Sequence, residues 1–280
     1  VCSWIGHGCI YNCPYSDSCL LSGDSMTAPK ALNTRLKALV ERILPKDILI
    51  CLDPVQDLID TEIKRVSDRL QDGQIVLDAG AGEARHKAYF KRGRYIALDA
   101  GHGDPDWDYS KLDVRGDLAT IPLRDACVDC ILCMVVLEHT RNPREVLLEF
   151  ARVLKSGGTL IMVVPFLWEE HQIPHDYFRF TRYGVRCLFE SSPFYLDLVN
   201  PIGGFFWLCA RRAIGFLSFF QGGWRWLLFA VLAPLLGFLL PIILYFMDGL
   251  DNAKNYSLGF NVHATRIDRA DSEDTPENHL

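Results

Sequence analysis

Nearly unbroken apolar runs alternate with amphipathic stretches along the middle of the chain. Ile75-Val76-Leu77, Tyr95-Ile96-Ala97-Leu98, Val128 to Val136 and Thr159 to Val164 lack the apolar-polar alternation of a half-exposed strand. They predict strands buried on both faces of a parallel sheet, with Leu112 to Arg115 as a shorter one. Between them lie helical patterns. Ile59, Ile63, Val66 and Leu70 share one face of a helix capped by Asp53, with Pro54 in its first turn and Gly73 at its end. That helix would serve as a lid or as cover for the sheet. Glu83 to Arg92 predicts the first crossover helix. A second opens at Asn142-Pro143, carries Val146, Leu147, Phe150, Val153 and Leu154 inward, and stops at Gly157-Gly158. Strand alternating with helix gives a doubly wound α/β sheet with its ligand at the strands' carboxyl ends.

The first strand runs directly into Asp78-Ala79-Gly80-Ala81-Gly82, and Asp99 closes the next apolar run about twenty residues later. Glycines let the backbone turn tightly and approach a ligand closely. An acid after the second strand can accept from both hydroxyls of a ribose. A dinucleotide site would need a third glycine where Arg85 stands, and Asp78 would repel a pyrophosphate. Asp78 could instead hold a cationic amino-acid moiety, directly or through water.

Asp78-Ala79-Gly80-Ala81-Gly82-Glu83-Ala84 resembles the first motif of class I S-adenosylmethionine-dependent methyltransferases, type 11-like, which often carry a third glycine where this chain has Ala84. The resemblance extends well over Gln74 to Glu190 and weakly to the last strand. It implies a seven-stranded, mostly parallel Rossmann-like sheet and S-adenosylmethionine as cofactor. Gly116-Asp117-Leu118 with Ile121-Pro122 matches a family segment whose acid meets the adenine amino group, so Asp117 and Leu118 join Asp78, Gly80, Gly82 and Asp99 as cofactor residues. Val136-Leu137-Glu138-His139 matches the family's Val-Leu-Glu-His and adds Glu138. The loop after the fifth strand resembles a Pro-x-Asp-Tyr-x-Arg-x-Thr run on the family's substrate side. His171, His175, Asp176 and Tyr177 are its candidate catalytic residues; Arg179 and Thr181 are expected to anchor the loop.

Two metal motifs fail on inspection. Asp104, Asp106 and Asp108 lack the glycine and closing glutamate of a calcium loop. Pro174 interrupts the helix that a His171/His175 pair at i, i+4 would need. No metal is expected. Cys127, Cys130 and Cys133 fall on a strand, where residues three apart point to opposite faces, and read as small buried hydrophobes.

Phe194 to Val199 and Tyr256 to Ala264 resemble the family's last two strands, which pair antiparallel. A short loop would suffice between them, yet Pro201 to Asn255 intervene. Trp226 to Met247 is uncharged and long enough to span a bilayer, with Arg211, Arg212 and Arg225 before it. One full crossing would separate two strands that must pair. A two-span hairpin would put Arg211 and Arg212 in hydrocarbon, at roughly 2.5–3.5 kcal/mol each. The remaining solutions are a re-entrant hairpin broken at Pro234 or Pro241, or helices in the interface with these arginines toward headgroups. A homo-oligomer interface is the other way to cover such a surface.

The chain has 280 residues and a net charge of −6, with a pI near 5.8. This gives no basic footprint for nucleic acid. Cys2, Cys9, Cys13 and Cys19 lack a Cys-x-x-Cys pair. They lie in a leader, residues 1–25, without the apolar core of a signal peptide. Val1 in first place suggests an upstream-translated leader with Met26 as the start. The remaining divisions are a helical cap (26–73), the core (74–200), the insert (201–255), the last strand (256–267) and an acidic tail (268–280). The whole predicts a methyltransferase at the cytoplasmic face of a membrane, acting on a small-molecule, lipid or lipid-linked glycan acceptor. A membrane-anchored nucleoside-binding or scaffold protein without turnover is the alternative. A dehydrogenase is weakened by the missing glycine.

Overall fold

The computed structural model describes residues 42, 44–190 and 192–268. The chain forms two units, residues 1–42 and 43–280, and the fold described is that of the second. The leader cysteines, Met26 and the tail beyond Asp268 lie outside the described residues.

Seven strands form one sheet: β1 (Ile75–Ala79), β2 (Arg94–Asp99), β3 (Val114–Arg115), β4 (Val128–Met134), β5 (Leu154–Pro165), β6 (Phe194–Ile202) and β7 (Gly259–Arg266). Their order is β3-β2-β1-β4-β5-β7-β6. β1 to β5 pair parallel, whereas β7 runs antiparallel to both β5 and β6. β6 is therefore parallel to the first five, and its carboxyl end lies on the same edge as theirs. The strand order reverses between β1 and β4. That reversal opens the crevice in which doubly wound sheets bind ligands.

Helix α1 (Lys46–Leu52) packs beside α2 (Pro54–Arg69), and α2, α3 (Pro143–Val153) and α4 (Arg182–Phe189) cover the sheet. One face takes Val146, Leu147 and Phe150 of α3 with Val185 and Phe189 of α4 against Leu77, Ile131, Leu160 and Met162. The other takes Val55, Ile59 and Ile63 of α2 against Val76, Tyr95, Leu132 and Val163. Each such large side chain, fully buried, contributes about 1.5–3 kcal/mol. Cys130 packs on the α2 face and Cys133 on the α3 face, as strand alternation requires. Asp53 caps α2 by accepting from the Gln56 N–H at 3.2 Å.

Two helix predictions need correction. Glu83 to Arg92 holds only a short 3₁₀ segment, Arg85–Tyr89, entered through Ala84 in the left-handed region. The stretch offers too little apolar surface to dock a helix, and α2 already fills that face. α3 ends at Val153 rather than at Gly157-Gly158. The glycine pair instead lies within β5, where its pairing with β4 shifts register between Val128 and Cys130.

The insert between β6 and β7 is helical: α5 (Phe205–Phe216), α6 (Trp226–Pro234) and α7 (Leu240–Met247), with a π-helical stretch at Leu235–Leu239. Trp207 stacks on Tyr245 with centroids 5.4 Å apart, and Leu217 meets Gly237, so α5 returns along the following helix as a hairpin. The turn lies around Gly222 and Gly223, at φ +127 and +55, and not at Pro234 or Pro241 as predicted. Both prolines sit inside helical backbone that runs from Gly223 to Leu250. The wider π turn accommodates the N–H that Pro lacks. At the hairpin's base, buried Asp248 accepts from the Gly204 and Trp207 N–H groups at 3.1 Å each and pairs with Lys254.

Candidate active site

A cavity of about 780 Å³ opens at the β1/β4 reversal, within the size range of small-molecule sites. Its floor is the turn after β1. The Gly80 and Ala81 N–H groups both donate to the Leu98 carbonyl, at 2.8 and 3.0 Å, which folds the glycine turn back onto β2. A Cβ on Gly80, at φ +85, would stand 2.4 Å from Val136 Cγ1. The space that glycine leaves open is filled by the wall beyond β4.

Asp99 lines the cavity. Its Oδ2 accepts from the Gly82 N–H at 2.9 Å and its Oδ1 from the Gly101 N–H at 2.6 Å. Each carboxylate oxygen keeps a second lone pair, which suits two ribose hydroxyls. Asp117, Leu118 and Ala119 line the same cavity. Asp117 Oδ1 is held by the Ala119 N–H at 2.9 Å, leaving Oδ2 to meet an exocyclic amine. Trp107 and His102, unassigned from sequence, complete this side.

Asp78 does not reach the cavity. It is 2 % exposed and accepts from the Tyr95 hydroxyl and His86 Nδ1 beneath the turn. Burial, then the Asp78 charge, push the Tyr95 phenol well above its usual pKa, so the phenol donates. Asp78 therefore braces the glycine turn from below and has no direct line to a ligand.

The opposite wall comes from the loop after β5, tied down by Phe180 N–H to the Pro165 carbonyl and Tyr177 N–H to the Glu138 carbonyl, both at 2.9 Å. His175 and Tyr177 line the cavity, as do Trp168, His139 and Arg211. His175 Nδ1 lies 3.1 Å from the Tyr177 hydroxyl. Asp176 turns away, taking two bonds from the Arg179 guanidinium at 2.6 and 2.7 Å and the His171 N–H at 2.8 Å. Burial opposes its charge, but the guanidinium and that N–H outweigh it and hold the carboxyl at about 2. Asp176 thus anchors the loop with Arg179, and Thr181 caps α4 through the Gly184 N–H at 2.9 Å. His171 and Glu138 also lie behind the cavity wall, facing each other. The Glu138 carboxylate raises the His171 pKa.

Arg211 and Arg212, expected toward headgroups, turn to this loop instead. Arg211 pairs with Glu169 at 2.6 Å and covers the Trp168 ring at 4.4 Å, while Arg212 meets Glu169 at 3.3 Å. The hairpin therefore supplies one of the cavity's lining arginines, Arg211, beside Arg85 and Arg141 from the core. No motif signalled it, because β6 and the hairpin carry Arg211 there from 42 residues away.

The fold is that of the class I methyltransferases. Residues 77–162 match the family described as a methyltransferase domain. A Mycolicibacterium smegmatis protein described as a probable S-adenosylmethionine-dependent methyltransferase is 37% identical over 100 residues, covering 33% of this chain and 38% of that protein. An uncharacterized 37.1 kDa protein of transposon TN4556 from Streptomyces fradiae is 32% identical over 105 residues, covering 33% and 30%. The chain thus spans well under half the length of these relatives. Among solved structures, a chain from the Haloferax volcanii complex containing the Trm112 methyltransferase activator shares the fold at a TM-score of 0.50 and 18% identity, over 85% of this chain and 96% of that one. The chain carries a class I S-adenosylmethionine-dependent methyltransferase domain, with S-adenosylmethionine as its cofactor.

Proposed function

We propose that the protein transfers a methyl group from S-adenosylmethionine to a small-molecule, lipid or lipid-linked glycan acceptor at the cytoplasmic face of a membrane. The observation that carries this reading is that one cavity joins the cofactor residues to a wall contributed by the apolar hairpin, through Arg211. The cofactor supplies an electrophilic methyl group. The chain's own task is to bind, orient and exclude water: Asp99 and Asp117 fix the nucleoside, while His175 and Tyr177 face the acceptor side. Positioning of this kind accounts for most of the rate gain in such a transfer, and His175 is the candidate to accept the acceptor's proton.

Membrane association is supported by the hairpin's surface. Leu227, Val231, Leu235, Leu239 and Ile243 recur every four residues and are 73, 75, 50, 50 and 46 % exposed. That stripe runs along the one helix, among the described residues, long and apolar enough to cross a membrane. An uncovered apolar surface of this extent needs lipid or a second copy of the chain against it. Incubating purified protein with methyl-labelled S-adenosylmethionine and membrane extracts should move label into the solvent-extractable fraction. Cofactor binding without label transfer to any fraction would instead favour a nucleoside-binding protein without turnover.

A further inference from the structure

Behind the acceptor wall lies a group of side chains that the cofactor site does not use. Glu138 is fully buried. Among the described residues, neither of its carboxylate oxygens has a hydrogen-bond partner. What faces Oε1 is a pair of imidazoles: His171 Nε2 at 3.5 Å and His139 Nε2 at 3.7 Å. The two Nε2 atoms stand 3.2 Å from each other. Burying an unpaired carboxylate costs several kcal/mol unless a positive charge meets it.

The other ring nitrogens decide where the lone pairs point. His139 Nδ1 lies 2.8 Å from the His175 carbonyl, and His171 Nδ1 lies 3.3 Å from the Glu169 carbonyl. Carbonyls only accept, and although the Arg179 guanidinium also lies 3.5 Å from His171 Nδ1, the tautomer that gives each Nδ1 proton to its carbonyl aims the two Nε2 lone pairs at each other. Two lone pairs and a carboxylate oxygen then converge on one point. The outer contacts have the form of a metal site's support, in which each ligating histidine gives its second N–H to a carbonyl or carboxylate. Asp176 Oδ2, 3.4 Å from His171 Nδ1 and held by Arg179, adds the carboxylate.

The spacing selects the ion. Tetrahedral zinc, with bonds of about 2.0–2.2 Å, separates its ligand atoms by about 3.3–3.6 Å, and the three separations here are 3.2, 3.5 and 3.7 Å. Octahedral magnesium would bring neighbouring ligands to about 3.0 Å and prefers oxygen throughout. We propose that Glu138, His139 and His171 bind a divalent transition-metal ion of the zinc type, with a remaining coordination position toward the cavity that His139 lines. Three protein ligands and an open position are the pattern of sites that hold a reactant rather than a fold. The ligand suited to that position is an acceptor bearing a hydroxyl or carboxylate oxygen. This last part rests on the methyl-transfer reading; the metal site does not.

Full-length protein stripped with chelator should be titrated with zinc by calorimetry and with cobalt(II) by absorption. The expected result is one ion per chain and the intense d–d bands of tetrahedral cobalt. Replacing a ligand in His171→Ala should weaken zinc by about 100-fold or more, and Asp176→Asn by about 10–100-fold. His171 does not line the cavity, so His171→Ala should keep wild-type affinity for S-adenosylhomocysteine. That measurement separates failure of the metal site from failure of the methyltransferase reading. Absence of stoichiometric zinc binding in the wild type, an octahedral cobalt spectrum, or zinc affinity unchanged in a folded His171→Ala protein would each overturn the proposal. A proton shared between the imidazoles would give the first of these results.

Discussion

Gly80→Ala should abolish measurable binding of S-adenosylmethionine and lower the free energy of unfolding by about 2–5 kcal/mol. The left-handed backbone at φ +85 costs a side chain about 1–2 kcal/mol. The new methyl group would also stand 2.4 and 2.5 Å from the Val136 methyls, an overpacking that typically costs about 1–3 kcal/mol. Relief requires moving either the turn that carries Gly82 against Asp99 or the β4 end that carries His139. Both movements distort the cavity. Gly73 provides the control, since it shares φ +85 but a methyl group there would meet nothing within 4 Å. Gly73→Ala should cost only the backbone strain and leave cofactor binding intact. Thermal unfolding with calorimetry of both variants checks this, and wild-type affinity in Gly80→Ala would show that the turn does not cradle the ligand.

Replacing Gly203 to Asp251 with a Gly-Asn turn should give a protein that stays in the supernatant with phospholipid vesicles, whereas the full chain should sediment with them. The strands flanking the insert already meet, with Ile202 paired to Gly259, so a short loop of Gly-Asn and the retained residues 252–258 can join them. The shortened protein should bind S-adenosylhomocysteine as the full chain does, because Asp99, Asp117 and the glycine turn lie elsewhere. Turnover on membrane-embedded acceptor should fall by about 100-fold, as Arg211 and its hold on Glu169 and Trp168 are lost with the insert. Vesicle binding by the shortened protein, or full activity on the native acceptor, would show that the hairpin does not couple anchoring to catalysis. If the full chain instead self-associates through the Leu227 to Ile243 stripe and ignores vesicles, a second copy is what covers it.

The parallel sheet was legible because strands buried on both faces leave continuous apolar runs, and Asp99 because it closes such a run; Asp117 follows a stretch that alternates apolar and charged residues, and only the resemblance of Gly116-Asp117-Leu118 to a family segment singled it out. Asp78 was legible as a motif but not as a role. Its partner Tyr95 sits on β2 among apolar neighbours, and only the pairing of Asp78 with Ala97 in register brings that phenol beneath the turn. The substrate loop divided in the same way. His175 and Asp176 are adjacent in sequence, yet the loop turns one into the cavity and the other onto Arg179. Arg211 could not be read at all, since its position depends on where a helical hairpin folds back. The convergence of Glu138 and His139 with His171 across 32 residues is likewise a product of topology, because β4 and β5 are neighbours and their carboxyl ends share an edge.

The central claim is that the β1/β4 crevice holds S-adenosylmethionine through Asp99. Calorimetric titration of the purified chain with S-adenosylhomocysteine should give one site, and Asp99→Ala should weaken it by about 1–3 kcal/mol, roughly five- to 150-fold, through lost charged hydrogen bonds. Tight binding of a nicotinamide dinucleotide with no binding of S-adenosylmethionine or S-adenosylhomocysteine, or an Asp99→Ala affinity equal to wild type, would contradict it.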